Sequence, residues 1–211
     1  MIFNEHSELK GKHAPFAPSN PYWLNYDSDR IVNNYISSYN VQIGTALHEL
    51  AEELILMGEK LTKADKKFVS YQLRKKGFNK KLLRRYVGDF YPMFSAYVND
   101  AIDLELSPEV TLYYSDYFFG TADAINYIKR DNLLEIHDLK TGTTPAKIEQ
   151  LEIYAALYCL EYKVDPLKIN YELRIYQGVN VVVHKPEPSV IRHHCDTIIF
   201  NNKVINQFME G

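Results

Sequence analysis

Apolar residues at positions 43, 46, 47, 50, 51, 54 and 55 recur at the three- and four-residue spacing of one helix face, which predicts a helix over 42–57 stopped by Gly58. Two further helices are expected over 63–76 and 80–98, separated by Gly77-Phe78-Asn79. Near Pro108 the pattern changes. Aliphatic, β-branched and aromatic residues crowd 110–114, 117–128 and 133–140, with turn signals at Ser115-Asp116 and Arg130-Asp131-Asn132. These segments read as a three-stranded antiparallel meander. After Thr141-Gly142 the pattern predicts a helix over 145–162, strands over 169–177 and 180–184, and a last helix over 188–209. The first forty residues, rich in Pro, Asn, Ser and Tyr without periodicity, read as an irregular arm wrapping the domain, with a short helix near Trp23.

The order of elements defines an α/β (α+β) fold: a central mixed sheet flanked by helices on both faces. A chain of 211 residues suits one domain, divided into an arm over 1–40, a helical part over 41–105, and a sheet core with its terminal helix over 106–211. No run approaches the ~18 apolar residues of a membrane span, and no secretion signal is legible at the start, so a cytoplasmic protein is expected. Cys159 and Cys195 lack CxxC spacing and companions, which argues against a zinc site, an iron–sulfur cluster and a disulfide framework.

Charge adds an asymmetry that the net value of -3 conceals. Residues 60–85 hold eleven Lys or Arg against the single acid Asp65, so this window is +10 and the remainder -13. A polyanion would meet a positive segment, including Lys80, Lys81, Arg84 and Arg85, beside an acidic remainder suited to a metal. A solvated helical face is the alternative.

The strand Leu133 to Lys140 carries the chemistry. Side chains alternate along a strand, so Asp138 and Lys140 share a face about 7 Å apart, at ~3.3 Å per residue. On the preceding strand, Gly120-Thr121-Ala122-Asp123 supplies a second carboxylate; a hairpin centred near residue 131 pairs Asp123 with a position near 139, beside Asp138. Two carboxylates next to a lysine suit a hard cation with a positive group alongside, although the same three residues are often a plain cross-strand ion pair. In the first helix, Gly44-Thr45-Ala46-Leu47-His48-Glu49-Leu50-Ala51-Glu52 puts His48 and Glu52 on one face, a metal ligand and its orienter, with Gly44 allowing close approach. The helix after Thr141-Gly142 carries Gln150 and Tyr154 on one face. Its first amides would lie where they can meet phosphate.

Taken in order, GTxxH, GTAD, DLKTG and QxxxY resemble the RecB-type branch of the PD-(D/E)XK nucleases, over about Gly44 to Tyr158. Within that branch the chain is similar to phage-encoded exonuclease-like proteins with a DLKTG-like strand and a QLxxYA-like helix. The segment His13 to Asn25 resembles their Ser-rich N-terminal stretch with its Trp. The resemblance implies a restriction-endonuclease-like core and a metal-dependent deoxyribonuclease, an exonuclease in phage or bacterial DNA recombination. It further implies Mg²⁺ or Mn²⁺ held by His48, Asp123, Asp138 and the backbone carbonyl of Leu139. Lys140 would position or activate water, with Gln150 and Tyr154 orienting Lys140 or holding the substrate strand. DNA is the implied partner, with a single-strand annealing or other recombination protein beside it, in the host cytoplasm for a phage-encoded chain. Cluster-bearing relatives need four cysteines, and Tyr26 stands where their N-terminal segments often have one, so no iron–sulfur cluster is expected. Polarity of cutting and oligomeric state stay open. Two other readings compete: a catalytically silent DNA- or protein-binding module of the same fold, and a small-molecule phosphatase, which would leave the basic segment without a task.

Overall fold

Leu134 to Leu139 are six consecutive buried residues, the mark of a strand covered on both faces, and they place strand β3 (Leu133–Lys140) at the centre of the sheet. The computed structural model describes residues 4–9, 11, 14–142 and 144–210; the side chains of residues 8 and 84–86 lie outside this set. The assignments made to Arg84, Arg85 and His13 therefore fall outside the described residues.

Five strands form one mixed sheet in the order β1-β2-β3-β4-β5: β1 (Ser107–Ser115), β2 (Phe118–Ile128), β3, β4 (Asn170–Gln177) and β5 (Asn180–His184). The first three are the expected antiparallel meander, β3 and β4 are parallel, and β5 returns antiparallel. The parallel pair needs a crossover, and helix α4 (Glu149–Glu161) supplies it.

Helices cover both faces. On one, Leu134, Ile136, Leu173 and Ile175 pack with Leu151, Ala155 and Ala156 of α4 and with Ile191 and Ile198 of α5 (Pro188–Glu210). Sandwiched between sheet and α5, α4 is apolar nearly all round, as a buried helix is. On the other face, α3 (Lys80–Asp103) packs on β3 and β4. There His137 is fully buried, with Nδ1 3.2 Å from the Tyr176 hydroxyl, which donates at 2.6 Å to Asp100 of α3.

The chain divides into two compact units, 1–43 and 44–211, with the boundary inside helix α1 (Ser28–Met57). The short helix expected near Trp23 is the 3-10 turn Pro21–Asn25. The irregular arm, however, ends much sooner than residue 40, because α1 begins at Ser28. Asp27 caps it, its Oδ1 accepting from the Arg30 N–H at 2.8 Å, and the Arg30 guanidinium lies 4.0 Å from the Tyr26 ring centre. Asn33, Asn34, Ser37 and Ser38 are weak helix formers that stand among Val32, Tyr35, Ile36 and Tyr39, and they hide the three- and four-residue spacing of those four, which is why this half reads as irregular. At its other end α1 stops as expected: Gly58 N–H bonds Ile55 O at 3.1 Å and Glu59 N–H bonds Leu54 O at 3.0 Å. Helix α2 (Lys66–Lys75) follows a 3-10 turn at Lys63–Asp65, and α3 runs five residues past its expected end. No helix among the described residues is long and apolar enough to cross a membrane.

Candidate active site

The β2–β3 register pairs Ala124 with His137, which brings Asp123 level with Asp138, one position short of the expected partner. The hairpin is centred between 130 and 131 rather than on 131, which accounts for the shift. Asp123 Oδ2 nonetheless reaches the Leu139 backbone, accepting its N–H at 2.8 Å.

Helix α1 brings the histidine. A Cβ on Gly44 would lie 2.5 Å from Thr141 Oγ1, so only glycine lets this turn of α1 seat against the chain leaving β3. One turn later, His48 Nδ1 stands 3.5 Å from Asp123 Oδ2 and 4.0 Å from Glu109 Oε1. Ligand atoms of His48, Glu109 and Asp123 all lie within 4.8 Å of one another.

Sequence reasoning missed Glu109. It falls just before the expected start of β1, where an acid beside Pro108 reads as a solvated strand end. The observed strand begins at Ser107, and Glu109 lies between the pairs Pro108–Ala124 and Val110–Ala122, across from Asp123. Its φ of +50° is a strained conformation for a residue with a side chain, a feature that gathers at functional sites. Only strand pairing reveals it. Glu52, expected to orient His48, instead lies close enough to Glu109 to help raise its pKa.

Crowding of carboxylates sets the electrostatics. Burial, then the neighbouring Asp138 charge, pushes Asp123 up to about 7, against the lowering effects of the Leu139 N–H and Lys140. Burial raises Asp138 too, while Lys140 and His48 pull it down. Glu109 is raised by burial and by Asp123. Burial lowers His48 despite the opposing pull of Glu109, Asp138 and a hydrogen bond to the Leu139 backbone, which keeps its imidazole neutral and able to ligate.

Asp138 is 2% exposed, and its two oxygens differ. Oδ1 accepts from Lys140 Nζ at 2.9 Å, whereas Oδ2 is buried and has no hydrogen-bond partner among the described residues. An orphaned carboxylate oxygen is costly unless something absent from the protein atoms satisfies it. Asp138 is not in the group formed by His48, Glu109 and Asp123, although its charge reaches both His48 and Asp123. A neutral imidazole and two carboxylates, with the Leu139 carbonyl and Asp138 nearby, fit an oxygen-preferring divalent cation such as Mg²⁺ or Mn²⁺.

The expected helix partners also converge. Lys140 Nζ donates to Gln150 Oε1 at 3.1 Å, and Gln150 Nε2 donates to the Tyr154 hydroxyl at 3.2 Å. A Cβ on Gly120 would lie 2.9 Å from the Tyr154 ring, so the glycine of the GTAD segment makes room for that ring over β2. Beside this chain lies a cavity of about 600 Å³, lined by Lys140, Gln150, Tyr154, Gly120, Phe119 and Lys147 among others. The phosphate-binding helix start expected here gains no support. Helix α4 begins at Glu149, four residues later than expected, and that carboxylate stands in its first turn, where it opposes an anion.

The two cysteines are buried thiols; Cys159 Sγ lies 3.5 Å from the Tyr171 hydroxyl, and Cys195 Sγ lies 3.6 Å from Ala156 O. Lys80 and Lys81 are exposed in the first turn of α3, where the Asn79 side chain accepts from Lys81 N–H at 2.8 Å.

Residues 28–180 match the family model described as a protein of unknown function, DUF2800, and the chain belongs to that family. The matched span contains His48, Glu109, Asp123, Asp138, Lys140, Gln150 and Tyr154, so the whole candidate site lies inside it. No curated protein and no solved structure matches the chain.

Proposed function

We propose that the chain is a metal-dependent deoxyribonuclease of the PD-(D/E)XK kind, hydrolysing DNA phosphodiester bonds, and that it acts as an exonuclease in DNA recombination or processing. The observation that carries this reading is Asp138: one oxygen is held by Lys140 and the other is buried without a partner among the described residues, with its charge felt by Asp123 and His48. A structural ion pair gives no reason for the second oxygen to stay unsatisfied.

In this reading His48, Asp123, Asp138 and the Leu139 carbonyl hold the cation, and Glu109 joins them. A divalent cation bound there would supply a water that ionises near neutral pH and would offset charge on the phosphoryl oxygens. Lys140 places its ammonium beside the site, orients the attacking water and stabilises charge in the transition state. Gln150 holds Lys140 from the helix side, and Tyr154 holds Gln150. In the reaction a P–O bond forms to water as the bond to the leaving sugar oxygen breaks, and the proton lost by water is made good at the leaving oxygen.

End-labelled linear and closed circular DNA, incubated with Mg²⁺ or Mn²⁺ and with chelator, test the proposal together. Cation-dependent loss of the linear substrate alone identifies an exonuclease; nicking of the circle identifies an endonuclease. No cleavage of either with any cation contradicts the reading.

A further inference from the structure

The cations of the 60–85 window do not all behave alike. Two of them are paired, Lys60 with Asp103 and Lys76 with Glu49. Apart from these pairs, α2 and α3 enclose a cleft of about 730 Å³ whose wall carries Lys63, Lys66, Lys67, Arg74 and Lys80 and, among the described residues, no carboxylate. Among the described residues, no ion pair or hydrogen bond engages the side chains of Lys63, Lys67, Arg74 or Lys80, and Lys66 reaches only a backbone carbonyl, Gly88 O, at 3.4 Å. Like charges gathered without counterions repel one another and raise the local anion concentration.

The floor of the cleft differs from its wall. Ala64, Leu83 and Val87 line it, together with the ring of Tyr71, which is 52% exposed and has Lys75 Nζ 5.2 Å from its centre. On α2 the order Lys67, Tyr71, Arg74 follows the i, i+4, i+7 spacing of one helix face, so ring and cations share a surface. Duplex DNA presents phosphates outward and keeps its base faces stacked inside, and so makes no use of an apolar floor with an aromatic ring. An unpaired strand offers both parts: phosphates for the cations and base faces for the ring.

We propose that the α2–α3 cleft binds an unpaired nucleic-acid strand, with Lys67 and Arg74 on its phosphates and a base stacked on Tyr71. The ligand class rests on the nuclease reading above, and adds to it that the substrate is held as a single strand at this cleft.

The test is fluorescence anisotropy with a labelled oligo-dT, the same length of oligo-U, and a closed hairpin duplex, in chelator so that nothing is cut. Wild type should bind oligo-dT at least fivefold more tightly than duplex. Lys67→Glu with Arg74→Glu should weaken it at least tenfold and flatten the slope of log affinity against log salt. Tyr71→Ala should weaken oligo-dT at least fivefold while leaving duplex within twofold, and Tyr71→Phe, which keeps the ring, should bind like wild type. Equal binding of strand and duplex, or unchanged binding by Tyr71→Ala, overturns the proposal. Stronger binding of oligo-U than of oligo-dT keeps the cleft as a strand site and assigns it to RNA. Because cleavage plays no part in the readout, strand binding without nuclease activity contradicts the proposed function alone, and nuclease activity without strand preference contradicts the cleft alone.

Discussion

Lys140 Nζ lies 2.9 Å from Asp138 Oδ1, while Oδ2 of the same carboxylate is buried without a partner among the described residues. On the proposed reading the pair is half of an arrangement. A cation at the free oxygen would complete it, with Asp123 and His48 across β2 and α1.

If the free oxygen faces a cation, removing its charge should show first in metal binding. Asp138→Asn keeps the size and a Lys140 partner but loses the charge that holds a hard ion. Calorimetry should find Mn²⁺ affinity reduced at least tenfold. In chelator the same variant should melt no lower than wild type, since a raised, buried carboxylate has gone.

On the proposed reading Glu109 helps to hold the cation, whereas Glu52, expected from the sequence to orient His48, has little part in the site. Glu109→Gln should weaken Mn²⁺ binding about tenfold, in the range seen when a metal's supporting groups are lost. Glu52→Gln should stay within twofold. The reverse order, measured in the same titrations, would return Glu52 to the His48 side of the site.

Gly44 is predicted to act through Thr141. Gly44→Ala puts a methyl 2.5 Å from Thr141 Oγ1 and should cost about 1–3 kcal/mol of stability, as overpacking does. Thr141→Ala removes that oxygen, so the double variant should recover most of the loss in denaturant unfolding. Additive losses would mean that the two residues do not meet.

Asp123 makes the metal-free protein pH-sensitive in a defined direction. Its carboxyl is raised from 3.8 to about 7 in the fold, so its contribution to stability is present below 3.8 and is lost as pH rises through 7. In chelator, the melting temperature of wild type relative to Asp123→Asn should fall between pH 4 and pH 8. His137, whose pKa burial lowers, titrates with the opposite sign in both proteins and cancels in the difference. Saturating Mn²⁺ at pH 8 should restore wild type and leave Asp123→Asn unchanged.

The sheet and the Lys140 chain were legible because they are local. Strand alternation puts Asp138 and Lys140 on one face, and helix periodicity puts Gln150 and Tyr154 on one face, with two residues and one turn as the only distances involved. Gly44 was readable as a close approach, but its partner Thr141 was not, since nothing local links the two. Glu109 was invisible for the same reason: its place follows from the β1–β2 register and a φ of +50°, neither of which a single strand pattern contains. The early half of α1 escaped because Asn33, Asn34, Ser37 and Ser38 mask the spacing of Val32, Tyr35, Ile36 and Tyr39, and because its capping residue, Asp27, follows a stretch rich in Pro, Asn and Ser.

The proposed function stands or falls on whether Lys140 acts in the chemical step rather than in holding the sheet together. Single-turnover cleavage of one linear DNA at saturating Mg²⁺ compares wild type with Lys140→Ala, with Mn²⁺ affinity measured on both. The expected result is a rate lower by about 10²- to 10³-fold, the scale of losing one preorganised donor, with metal affinity held or slightly raised. A rate within threefold of wild type would contradict the account and leave Lys140 and Asp138 as a cross-strand ion pair.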